Sequence, residues 1–166
     1  MDTLLDVLLI AAILGTGLVA GVFFAFSGFV TQGLDRLPDE DSARAMRAIN
    51  ITAVRAPLML ALFGTGLVAI VVAAFAFTGA LEGGAAWWAI GSAAVYLVGT
   101  IGVTAAANVP RNNRLAAPEA TEASALAGAW TEFRPGWQAW NHVRTLASAL
   151  ACVGFALTLI AALGGR

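Results

Sequence analysis

Long apolar stretches divided by short polar ones set the pattern of the chain. Four of them, about Leu4 to Phe29, Leu58 to Thr78, Ala85 to Ala107 and Trp140 to Leu163, match the roughly 20 apolar residues a helix needs to cross a hydrocarbon layer. None alternates with the period of two that a barrel strand requires. Backbone groups in lipid have to be satisfied within their own segment, so all four are predicted to be helices. The fold class that follows is all-α: an integral membrane four-helix bundle, a single domain over residues 1–166. The first stretch reads as a retained span, because Asp2 and Asp6 stand where a signal peptide needs positive charge and the apolar run continues to Phe29.

The links carry their own signals. Leu37-Pro38 followed by Asp39, Glu40 and Asp41 is a helix start, with acids in the first turn opposing the macrodipole. Spacings of three and four place Ala43, Met46, Ile49 or Asn50, and Ala53 on one face, with Arg44 and Arg47 elsewhere. This predicts an amphipathic helix at the membrane interface between the first two spans, running to about Arg55, with Pro57 bending the chain into the next span. Asn108-Val109-Pro110 is expected to end the third span's helix, and Pro118, Glu119 and Glu122 to begin a short one through Trp130. Gly17 and Gly21 form a small-xxx-small pair suited to close helix approach. The stretch GTGLVA occurs at Gly15 to Ala20 and again at Gly64 to Ala69, which reads as coincidence or shared small-residue packing.

Composition agrees with the pattern: 60% of residues are hydrophobic and 11% charged, and the mean hydropathy is +0.83. A soluble domain carries about 25% charge, so the lipid bilayer is the expected partner. A net charge of −1 gives no ground for a nucleic-acid partner. The placement of arginine is informative. Arg36, Arg44, Arg47 and Arg55 fill the first link and Arg111, Arg114 and Arg134 the third, with Arg144 just inside the last span, whereas the opposite side has only Arg166. The positive-inside rule then predicts a multi-pass protein of the cytoplasmic (inner) membrane with both termini outside. The single cysteine, Cys152, excludes a disulfide within the chain and a Cys-rich metal site.

Candidate chemistry gathers in WQAWNHVRT, Trp137 to Thr145, which holds the sole histidine of the chain, His142. On a helix Trp137, Asn141, Arg144 and Ser148 share a face, and His142 and Thr145 point about 100° away from Asn141. The third span adds a polar stripe at Tyr96, Thr100, Thr104 and Asn108, one residue in four, with Asn108 at the same depth as Asn141 and His142. Phe23 and Ser27 share a face that could wall a pocket, and Trp87 and Trp88 fit an interfacial belt. No acid lies deeper than Asp6 in any span, so zinc and di-iron sites lack ligands, and a single axial haem ligand is the one metal option left open. A transporter is disfavoured for the same want of intramembrane charge.

These segments resemble the anthrone-oxygenase-like family of small four-span membrane proteins. The resemblance rests on GVFFAFSGFV (Gly21 to Val30), GLDRLP (Gly33 to Pro38), AMRAIN (Ala45 to Asn50), VTAAANVPRNN (Val103 to Asn113) and WQAWNHVRT. Ala56 and Arg111 depart from the family pattern, which often has asparagine and an apolar residue there. The resemblance implies oxidation of an anthrone-like aromatic ketone or phenol by molecular oxygen, with no metal or other cofactor. It then assigns His142 as the base and Asn108, Asn141 and Arg144 as oxyanion partners. Trp137 and Trp140 would stack on the substrate, with Phe23, Ser27 and Tyr96 lining the site. The alternative is a non-enzymatic membrane binding or scaffold protein for a lipid or small hydrophobic ligand, and a homo-oligomer is compatible with either.

Overall fold

A computed structural model describes residues 3–117 and 122–164, which form helices α1 (Thr3–Leu34), α2 (Asp39–Ala53), α3 (Ala56–Phe75), α4 (Gly83–Leu115) and α5 (Ala123–Gly164), with no strand among them. All but α2 are long and apolar enough to cross a membrane, so this is a multi-pass membrane protein. The four close into a ring in which α5 packs on α1 and α4, and α3 completes the circle between them. One buried cluster, with Leu5, Leu9, Val19, Val72, Tyr96 and Phe155, fills the middle of the ring. A second, with Ala43, Met46, Leu126, Trp130, Phe133 and Trp137, lies at its arginine-rich end.

That second cluster corrects one expectation. The helix expected to stop near Trp130 continues without a break as α5 through Pro135, and the expected start at Pro118 and Glu119 lies outside the described residues. A proline inside a helix loses a hydrogen bond and crowds the carbonyl four residues earlier, at a cost of about 3 kcal/mol or more. Against this, Leu126, Trp130, Phe133 and Trp137 recur at spacings of four, three and four and are buried together against α2. Burial of a large apolar side chain contributes about 1.5–3 kcal/mol, so the stripe outweighs the proline. For α2 itself the start after Pro38 is as expected, with the Asp41 and Ser42 amides donating to the Pro38 carbonyl. Its apolar face packs on α5.

The third span also outlasts its expected end. α4 runs through Pro110 to Leu115, because wide π-type turns at Leu97–Gly102 and Thr104–Asn108 precede the proline. Such turns relieve the crowding a proline ring imposes on the turn before it. Close approach between helices falls on glycines other than the expected pair. A Cβ at Gly21 would meet nothing within 4 Å and one at Gly17 only the Cys152 sulfur at 3.5 Å. A Cβ at Gly15 would lie 2.2 Å from Thr65 Oγ1, so the two GTGLVA segments pack on each other through small residues.

Candidate functional site

At the arginine-rich end, α1 widens into a π turn at Phe26–Val30, and two carbonyls beside that turn take donors from α5. Asn141 Nδ2 donates to the Phe23 carbonyl and to Ser27 Oγ, both at 2.8 Å, and Gln138 Nε2 to the Ser27 carbonyl at 3.3 Å. The face expected for α5 is the face it buries: Trp137, Asn141, Arg144 and Ser148 all point inward. Ser148 pairs with Thr100 at 2.9 Å, and Asn108 Nδ2 donates to the Trp137 carbonyl at 3.2 Å. Trp137 Nε1 in turn donates to Asn112 Oδ1 at 2.8 Å. Since an indole nitrogen can only donate, this bond fixes the Asn112 amide and leaves its nitrogen as a donor.

Arg144 lies at the centre of this arrangement, only 5% exposed. One terminal nitrogen donates to Asn141 Oδ1 at 2.8 Å and the other to Thr104 Oγ1 at 3.3 Å. Its guanidinium carbon lies 4.1 Å from the Phe23 ring centroid and 5.4 Å from that of Trp137, within the range of cation–π attraction. Nε has no partner, and among the described residues no carboxylate pairs with this guanidinium. A buried cation ordinarily requires a counter-charge. Beside it is a cavity of about 70 Å³ where all five helices converge, walled by Phe23, Phe26 and Trp137 and edged by Asn50, Asn112 and Asn141. The Asn50 amide nitrogen is also buried without a partner. No histidine, cysteine or acid lines this cavity.

The expected site residues therefore divide. Phe23, Trp137, Asn141 and Arg144 border the cavity, and Ser27 supports it through Asn141 and through a 3.1 Å bond to Thr145. Asn108 is fully buried behind Trp137, with its Oδ1 unpaired, and does not line the cavity. Tyr96 belongs to the central cluster and donates to the Leu62 carbonyl at 3.0 Å. Trp140, 40% exposed, faces outward. His142 is exposed as well and contacts Gln138 at 3.3 Å, one turn along the same helix. The expectation that His142 and Asn108 meet Asn141 and Arg144 in one cavity is thus corrected. The 100° offset of His142 from Asn141 turns it out of the bundle, because α5 has only one inward face at this level.

Two residues went unrecognised in the sequence, Asn50 and Asn112. Asn50 had a signal: it is an amide on the apolar face of an amphipathic helix, where an unpaired polar group is costly. Among the described residues no three His, Cys, Asp or Glu side chains come together as metal ligands.

A four-span membrane bundle with an aromatic-walled cavity beside a carboxylate-free guanidinium is the class this architecture defines. The chain belongs to the anthrone oxygenase family, whose family model, described as Anthrone oxygenase, matches residues 56–154. That range includes Asn112, Trp137, Asn141 and Arg144 and excludes Phe23 and Asn50. No curated protein and no solved structure matches the chain.

Proposed function

We propose that the protein is a membrane-embedded, cofactor-independent oxidase or oxygenase of a flat hydrophobic aromatic ketone or phenol, of the anthrone type. The observation that carries this reading is the guanidinium of Arg144, buried without a carboxylate beside a cavity walled by Phe23, Phe26 and Trp137. Loss of a methylene proton from an anthrone gives a carbanion whose charge rests largely on the ketone oxygen. Arg144 stabilises that oxyanion, and Phe23, Phe26 and Trp137 wall the space around it. The carbanion transfers one electron to oxygen, and the radical pair joins to form a carbon–oxygen bond. The resulting peroxide anion takes a proton back from solvent, and the hydroperoxide then breaks its O–O bond and loses the second methylene hydrogen as water, so that anthrone and oxygen yield anthraquinone and one water. His142 is outside the cavity, so the proton passes to solvent in this scheme and His142 takes no part.

Family membership over residues 56–154 supports the oxygenase-like class. One observation favours the second reading, a non-enzymatic binding protein: no side chain able to accept a proton lines the cavity. Oxygen uptake with an anthrone in detergent, with and without protein, separates the two. The expected result is accelerated quinone formation that His142→Gln preserves. Arg144→Met should lower it by about 10²-fold or more, the usual cost of losing an oxyanion donor. A parent protein no faster than buffer would leave the binding reading, and loss of turnover in His142→Gln would restore the histidine as base.

A further inference from the structure

The cavity at Arg144 has a neighbour. Between α2 and α4 runs a groove of about 350 Å³, lined by Ile51, Val54, Val109 and Ala116 with Arg47 and Asn113, and sharing Asn50 and Asn112 with the inner cavity. The inner cavity, at about 70 Å³, is too small for a ring system, since ligand pockets run from roughly 300 to 1,000 Å³. The groove falls within that range. The two spaces differ in character. The outer one is mainly apolar with Arg47 and Asn113 among its walls, and the residues bordering the inner one include two buried donors without a partner, Arg144 Nε and Asn50 Nδ2, and the Asn112 amide, whose oxygen is held by Trp137. Asn141, which borders the same cavity, has both amide hydrogens committed to α1 and its oxygen to Arg144, so it positions the guanidinium and has no hydrogen left to give. Two orphaned donors, one of them cationic, call for an acceptor with negative charge.

We infer that cavity and groove together form a receptor for a single anionic oxygen carried on a flat apolar body, a phenolate or enolate. Arg144, Asn50 and Asn112 hold the oxygen, and the body lies in the groove between α2 and α4. This rests on the proposed oxidase reading for the aromatic nature of the ligand and its oxyanion at Arg144, and adds that the ligand binds already ionised, with Asn50 and Asn112 as further donors and the groove as its seat. A fatty-acid carboxylate presents the same head chemistry. The aromatic body follows from that reading: Phe23, Phe26 and Trp137 line the inner cavity that takes the oxygen, and Asn50 and Asn112 border both spaces.

The test uses 2-hydroxyanthraquinone, which is already oxidised and whose phenolate absorbs at longer wavelength than its phenol. The full-length protein is placed in nanodiscs of phosphatidylcholine, at a pH where the probe is mostly protonated in protein-free discs. Saturable binding is expected, with the bound probe showing the phenolate band. Unsubstituted anthraquinone should bind at least about tenfold more weakly, as befits a lost charge-assisted bond. Asn50→Leu removes a donor that no protein group uses. It should leave elution and melting as in the parent and weaken the probe by about three- to tenfold. Arg144→Met should abolish the phenolate band. Binding of the neutral phenol, equal affinity for anthraquinone, or displacement by palmitate at lower concentration than by the probe itself would each overturn the inference. Phenolate binding without turnover of an anthrone would instead sink the oxidase reading and leave the receptor standing.

Discussion

Arg144 shows how a single residue can be recognisable in a sequence while its partners are not. A guanidinium at the end of an apolar span ordinarily reaches for headgroups, yet here it turns inward, because Asn141 and Thr104 accept its terminal nitrogens and two rings cover its face. Glycines repeat the lesson. The small-xxx-small spacing of Gly17 and Gly21 is a real pattern without a tight contact, Gly17 meeting only the Cys152 sulfur and Gly21 nothing, whereas Gly99, which no motif marks, sits where a Cβ would come within 2.6 Å of Ala147 Cβ. Neither methyl can move, both being fixed to helical backbone. Gly99→Ala should therefore lower stability by about 1–3 kcal/mol through overpacking, and Gly21→Ala should be neutral or gain up to about 1 kcal/mol from helix propensity. Thermal unfolding in one detergent checks the pair, and equal melting of the two variants would mean the helices are free to separate at Gly99.

At the scale of elements, π turns decide how far a helical wheel can be trusted. Residues four apart in a straight α-helix drift by about 40°, so Tyr96 and Asn108 should differ by about 120°. Both are nevertheless fully buried. The wide turns at Leu97–Gly102 and Thr104–Asn108 advance less per residue and alter that drift, and the two residues reach different neighbours, Tyr96 the Leu62 carbonyl on α3 and Asn108 the Trp137 carbonyl on α5. Such turns leave little trace in a sequence, since they depend on what the neighbouring helix offers the loosened carbonyls. Proline misleads in the same way at Pro110 and Pro135, both of which lie within continuous helices. Pro135→Ala should restore a backbone donor and raise stability by up to about 3 kcal/mol with helix content unchanged by circular dichroism. A lower melting temperature would show that a proline-set bend in α5 is needed to seat Trp130 and Phe133 on α2. Arg47 ties α2 to the end of α4, donating to the carbonyls of Leu115 at 2.5 Å and Ala117 at 3.1 Å. Hydrogen exchange at residues 111–117 should speed up in Arg47→Ala and stay unchanged elsewhere in α4.

For the whole molecule, the bundle's two ends differ in charge, and the positive-inside rule predicts that the arginine-rich end, with the cavity, faces the cytoplasm. A C-terminal reporter that fluoresces only in the cytoplasm should stay dark, and a bright one would place the cavity on the outer side. The sequence by itself determined four spans, the all-helical class, the amphipathic α2 and the inward face of α5 at Trp137, Asn141, Arg144 and Ser148. These follow from the length of apolar runs and from one helical period, which are local quantities. Only the tertiary structure decided which polar groups meet. It turned His142 outward, set Asn108 behind Trp137, and brought Asn50 from one link and Asn112 from the other to the same cavity, 62 positions apart. The physical reason is that a site of donors is defined by the acceptors its neighbours have already used. That count exists only once the helices are packed.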